Sequence, residues 1–127
     1  MVLDPHMEIL VVEDLPSIRL MICGLLRSLQ FRSVREAANG SEALTELRRQ
    51  RADLVLTDWN MPRMNGIELL QAMRRDESLK DIPLLMVTGT ATKDEVVEAL
   101  RAGANGYIIK PFIAKTLKEK LDTIFHK

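Results

Sequence analysis

Four short apolar runs constrain this chain more than anything else in it: Ile9-Leu10-Val11-Val12, Leu54-Val55-Leu56, Leu84-Leu85-Met86-Val87 and Gly106-Tyr107-Ile108-Ile109. Runs this short, apolar at every position rather than at every second one, suit strands covered on both faces. Turn-forming residues and then apolar residues at helical spacing follow each of them. Pro16 opens a helix with Ile18, Met21, Ile22, Leu25, Leu26 and Leu29 predicted on one face. Asn60, Pro62, Asn65 and Gly66 form a loop before Ile67, Leu69, Leu70 and Met73 resume the helical pattern. A further helix is predicted over about Thr92 to Ala102, closed by Gly103, and a last one carries Leu117, Leu121, Ile124 and Phe125.

A fifth strand, Ser33 to Ala38, is less apolar and carries Arg35 and Glu36, which places it at a sheet edge. Asn39-Gly40 then leads into a helix with Ala43, Leu44 and Leu47 inward. The basic run Arg48 to Arg51 at its end complements the negative end of the helix rather than marking a partner patch. Five strands alternating with five helices predict an α/β fold, an open parallel sheet with helices on both faces.

Composition narrows the function. The 127 residues form one domain with 46% apolar residues, and 18 basic residues balance 18 acidic ones. That balance gives no nucleic-acid or membrane footprint, and no apolar run is long enough to span a bilayer. The start of the chain lacks the layout of a signal peptide, and the single cysteine, Cys23, has no partner for an internal disulfide. Both features fit a cytoplasmic protein. The domain is taken as residues 8–127; residues 1–7 (MVLDPHM) show no periodicity and read as an extension, with a second Met after His6 suggesting a vector-derived remnant.

The chemistry lies at the strand ends. Four of the five strands finish in a reactive side chain: Glu13 and Asp14, Asp58, Thr88, and Lys110. In a parallel sheet all of these meet at one edge, where ligands of open α/β folds bind. An isolated Asp58 would read as a turn or cap residue; three crowded carboxylates need a cation or a shared proton. All-oxygen ligands suit Mg²⁺, and the absence of Cys or His from the strand ends argues against zinc. A carboxylate nucleophile, a Mg²⁺ ion, a hydroxyl and a lysine together make a phosphoryl-transfer site, in which the carboxylate becomes an acyl phosphate. No glycine-rich phosphate loop is present, so nucleotide binding of that kind is excluded.

The motifs LVVED, TDWNMPRMNGIELL, MVTGT and AGANGYIIKPF, in this order, resemble the receiver domains of two-component response regulators, most closely the single-domain regulators of chemotaxis. The resemblance runs from about Ile9 to Phe125. It implies a flavodoxin-like doubly wound fold with strand order 2-1-3-4-5. It implies that Asp58 accepts a phosphoryl group from a histidine kinase by self-catalysed chemistry, with autodephosphorylation and no other enzymatic activity. Asp14 and Asp58 are then Mg²⁺ ligands, Glu13 acts through water and Asn60 through its carbonyl. Lys110 pairs with the phosphoryl oxygens, its bond to Pro111 is cis, and Thr88 and Tyr107 form the switch. Read alone, Tyr107 is a half-buried strand aromatic.

Departures from the family pattern fall at Glu13, at Thr90 and at Arg63 beside the site. By resemblance Asn60 and Thr90 tune dephosphorylation, so the lifetime of the phosphorylated state is open. The last strand and helix use Tyr107 to Lys127, so the expected output is protein contact rather than DNA binding. The implied surface draws on Val96, Leu100, Ala104, Tyr107 and Lys120, and the implied partner is the flagellar motor switch, met by a monomer. Three other readings stand beside it: a phosphorelay shuttle or phosphate sink, a receiver fragment of a longer regulator, and a flavodoxin-like FMN carrier. The strand-end carboxylates oppose the last of these.

Overall fold

In the computed structural model, which describes residues 4–89 and 92–125, five strands and five helices alternate. They are β1 (Glu8–Val12), α1 (Pro16–Ser28), β2 (Ser33–Ala37), α2 (Gly40–Arg49), β3 (Leu54–Asp58), α3 (Gly66–Arg75), β4 (Leu84–Thr88), α4 (Lys93–Ala102), β5 (Gly106–Ile109) and α5 (Ala114–Phe125). All pairings are parallel, in the order β2-β1-β3-β4-β5. The expected flavodoxin-like topology is therefore present, with the polar strand β2 at one edge.

Strand alternation divides the core between the two faces of the sheet. Leu10, Val12, Val55, Leu84 and Met86 meet Leu44, Leu47, Leu70, Met73 and Ala99 of α2, α3 and α4. Ile9, Val11, Leu54, Leu56, Val87 and Ile108 meet Ile22, Cys23, Leu26, Leu117 and Leu121 of α1 and α5. Every residue of β3 and β4 is buried, as continuous apolar runs demand. On α1 the inward stripe is rotated from the predicted one. Cys23 is fully buried beside Ile22 and Leu26, whereas Met21 is 37% exposed. Sheet and α5 contact the helix on its Ile22-Cys23-Leu26 side, so Met21 falls at the margin. Met7 is buried too, and the Arg32 N–H donates to Pro5 O at 3.1 Å, so the chain before β1 packs onto the fold.

Local signals explain the helix ends. Asn39, Asn65 and Thr92 cap α2, α3 and α4 through their side chains, and the last two donate their own N–H groups in return to the Glu68 and Glu95 carboxylates. Gly103 ends α4 at φ 105°, left-handed backbone that costs glycine little. Arg74 reaches this cap from α3, donating from Nε and Nη2 to Gly103 O at 3.1 and 2.9 Å. It also donates to Lys80 O, Ile82 O and Asn105 Oδ1. One guanidinium thus ties α3, the α3–β4 loop and the α4–β5 turn together. Arg74→Met keeps most of the stem but leaves these acceptors without their donor, and is expected to lower unfolding free energy by about 2 kcal/mol. Urea denaturation measures this; a change below about 0.5 kcal/mol would show that water replaces the donor fully.

Candidate functional site

Sheet register explains how distant residues meet at one edge. Val12 is level with Thr57, so Glu13 follows one strand where Asp58 ends the next. Asp58 is level with Val87 and Thr88 with Ile109, so Thr88 and Lys110 stand progressively further along. The long lysine side chain reaches back across that stagger. Its Nζ donates to Asp58 Oδ1 at 3.2 Å and to Glu13 Oε1 at 3.3 Å. Carboxylate oxygens of Glu13, Asp14 and Asp58 all lie within 4.8 Å of one another. The structure thus brings together the acidic residues and the lysine singled out above. The Lys110-Pro111 peptide is cis.

Backbone groups hold the acids in place. Asp58 Oδ1 also accepts from the Trp59 N–H at 2.9 Å, and the Thr57 hydroxyl donates to Asp58 O at 3.0 Å. Glu13 has no exposed surface; its N–H donates to Ala37 O, and Oε2 accepts from the Leu15 N–H at 3.3 Å. Burial pushes the Glu13 carboxyl up to about 7, with Asp14 and Asp58 adding to the rise and the Leu15 N–H and Lys110 opposing it. Desolvation works against the charge on Lys110, but Asp58 and Glu13 outweigh it and hold the ammonium pKa above the usual lysine value. A cluster of carboxyls so placed is short of positive charge. An all-oxygen donor set with one strained acid is what a hard divalent cation relieves, so these residues fit such an ion.

The remaining candidate residues are placed as follows. Thr88 is buried at the end of β4. Its side chain lies on the same sheet face as that of Met86, whose register partner is Tyr107. Thr88 and Tyr107 therefore share the face covered by α4, diagonally across two strands. Tyr107 is half-buried against that core, with Lys120 Nζ 4.8 Å from its ring centroid. Asn60 is exposed in the loop after Asp58, where Arg63 holds a φ of 69°. Thr90 lies outside the described residues. Among the residues expected at an output surface, Leu100 is 50% exposed, Val96 and Lys120 are half-buried, and Ala104 is buried in the core.

Arg19 escaped the sequence reading. Its Nη1 donates to the main-chain carbonyl of Glu13 at 2.8 Å and its Nε to Glu36 Oε1 at 2.9 Å. Its one signal was a cation in the first turn of a helix, where the dipole disfavours positive charge.

Comparison with known proteins agrees with this geometry. Residues 9–122 match the response regulator receiver domain. The chain belongs to that family. Among curated relatives of this receiver, the chemotaxis protein CheY-3 of Vibrio cholerae is 49% identical over 126 residues, covering 99% of this chain and 97% of that protein. The chemotaxis protein CheY of Pseudomonas aeruginosa is 50% identical over 121 residues, covering 95% and 98%. A solved receiver domain of a sensor histidine kinase from P. aeruginosa, with magnesium coordinated in its active-site cleft, superposes with a TM-score of 0.83 at 34% identity, covering 92% of this chain and 95% of that one. The receiver is thus CheY-like over its full length, with an acidic cluster suited to phosphorylation, and is not a conventional enzyme. Membership also sets aside the flavin carrier.

Proposed function

We propose that this chain is a single-domain chemotaxis response regulator, phosphorylated on Asp58 by a histidine kinase in a Mg²⁺-dependent reaction. The observation that carries this reading is Lys110 Nζ bonded at 3.2 Å to Asp58, which shares one acidic cluster with Glu13 and Asp14. Asp14 and Asp58 would hold the ion directly, with Glu13 behind them and Asn60 offering its carbonyl. When bound, Mg²⁺ supplies positive charge to the transferring phosphoryl oxygens.

The other steps belong to the chain. An oxygen of the Asp58 carboxylate attacks phosphorus; the P–N bond of the phosphohistidine donor breaks, its electron pair stays on the imidazole nitrogen, and an acyl phosphate results. The Trp59 N–H holds Oδ1 of that carboxylate in a fixed orientation. Lys110 then pairs with the new phosphoryl oxygens, exchanging its carboxylate partner for a more highly charged one. Thr88 and Tyr107, on one face of the sheet, form the switch: the hydroxyl moves toward the phosphoryl group, and the space it leaves favours the inward ring. Phosphorylation biases an existing equilibrium through these differential contacts.

Output leaves by protein contact in the cytoplasm. Leu100 at 50%, Ile109 at 47% and Ile113 at 64% exposure are apolar groups on α4, on β5 and beside α5 that a partner would cover. With Val96, Tyr107 and Lys120 they make a surface for a flagellar motor switch protein, the partner the chemotaxis relatives suggest. A phosphorelay shuttle would use the same site, with Asn60 and Thr90 tuning the lifetime of the phosphorylated state in either case; pull-down with a switch-protein peptide separates the two.

Trp59 sits beside the site and reports on it. Mg²⁺ is expected to change its fluorescence, and beryllofluoride or acetyl phosphate to change it again, with the second response absent in Asp58→Asn. A phosphodonor response that survives Asp58→Asn would refute the assignment of the acceptor. No response to Mg²⁺ would refute the metal site.

A further inference from the structure

We infer that Arg19 is a positioning residue for the metal-binding carboxylate of Asp14, acting through the peptide unit between Glu13 and Asp14; the inference rests on the Mg²⁺ reading above. The carbonyl of Glu13 and the N–H of Asp14 belong to one planar group. Arg19 Nη1 bonds that carbonyl at 2.8 Å, while the other side of Glu13 is fixed by its N–H to Ala37 O at 3.0 Å. With both ends of Glu13 pinned, the orientation in which the chain leaves toward Asp14, and so the direction of the Asp14 side chain, is set.

The arginine is itself held from a second direction. Its Nε bonds Glu36 Oε1 on the edge strand at 2.9 Å, and its side chain is only 20% exposed. A planar fork with one arm on each partner is a rigid strut between α1, β2 and the end of β1. Its location has no advantage for the helix. Leu15 offers no side-chain cap, no acid stands in the first turn of α1, and a cation there opposes the helix dipole. Nor does charge explain it: a cation bonded to the main chain of Glu13 adds positive charge on the side of the site where a metal would have to enter the cluster. The strut therefore favours metal binding through geometry and opposes it through charge, and the two roles differ in sign.

The sign decides the experiment. Mg²⁺ is titrated calorimetrically and by Trp59 emission into wild type, Arg19→Met, Arg19→Lys, Glu36→Ala and the Arg19→Met/Glu36→Ala double variant, with metal-free melting followed in parallel. Arg19→Met is expected to weaken Mg²⁺ binding about tenfold, the lower end of what loss of a partner behind a metal ligand causes. Arg19→Lys keeps the charge but not the fork, and is expected to weaken binding less. Glu36→Ala is expected to weaken it in wild type and to add nothing once Arg19 is gone. Unchanged or tighter Mg²⁺ binding by Arg19→Met overturns the inference. Should that variant not fold, unchanged binding by both Arg19→Lys and Glu36→Ala overturns it equally. A wild type that does not respond to Mg²⁺ sinks the metal reading and the strut with it, whereas a wild type that binds beside an Arg19→Met that binds as well sinks the strut alone.

Discussion

Gly66→Ala is expected to lower the unfolding free energy by about 3 kcal/mol, the upper end of ordinary overpacking costs. A Cβ on this residue would overlap Asp58 O and come within 3.0 Å of Met86 Sδ and 3.1 Å of Trp59 Cα. A flexible side chain could move away, but the first of these is main chain and belongs to the proposed acceptor. Gly66 also donates its N–H to Trp59 O at 2.9 Å, so the first turn of α3 and the end of β3 are fastened together at that distance. The methyl group can be admitted only by shifting Asp58 or withdrawing α3. Thermal melting is expected to fall by roughly 10 °C, given about 4 °C per kcal/mol in a domain of this size. Mg²⁺ binding should weaken with it. Melting within about 2 °C of wild type would mean that the helix yields freely, and that this close approach does not hold the acidic loop.

Glu13→Gln is expected to stabilise the metal-free protein by as much as about 3 kcal/mol at about pH 8, while weakening its Mg²⁺ binding by roughly 10- to 100-fold. The cause is a carboxyl with no exposed surface whose pKa burial has pushed from 4.5 to about 7. Between those values the folded chain binds more protons than the unfolded one, so stability falls as pH rises through this interval, and the cost is fully present above it. A neutral amide has no such cost. The difference between variant and wild type should therefore be small at about pH 4.5, grow toward pH 7 and then level off; denaturant unfolding across this range in a chelator measures it. A difference that stays flat with pH would show that Glu13 ionises normally. Mg²⁺ should reverse the trend in wild type, because an ion drawn to the cluster favours the carboxylate and displaces its proton.

These predictions use different amounts of the sequence. The acid at position 13 and the proposed phosphoacceptor at 58 were legible because each ends an apolar run. Such runs become parallel strands, and parallel strands deliver their ends to one edge. The same logic reached Thr88 and Lys110, and the charged strand Ser33–Ala37 was recognisable as an edge because a central strand cannot carry Arg35 and Glu36 there. Gly66 was legible only as a turn residue. That a carbonyl passes within reach of its missing side chain depends on how α3 docks, and no local pattern encodes that distance.

Where a residue's role depends on what lies across from it, the sequence was silent. Met21 and Cys23 are both compatible with an apolar helix face, and the direction from which the sheet and α5 approach decided that Cys23 is buried and Met21 exposed. Ala104 belongs to the core while Leu100, four residues earlier, is half exposed, because Gly103 turns the chain inward between them. Arg19 and Arg74 did not stand out in the sequence reading; only the folded chain shows them bonded to Glu13 O and Gly103 O. The sequence by itself determined the order of elements, the sheet type and the residues at its reactive edge, because these follow from local periodicity and chain direction. The tertiary structure alone decided which cations brace that edge and how closely its backbone is packed, because contacts between distant elements depend on docking geometry and leave no local period to read.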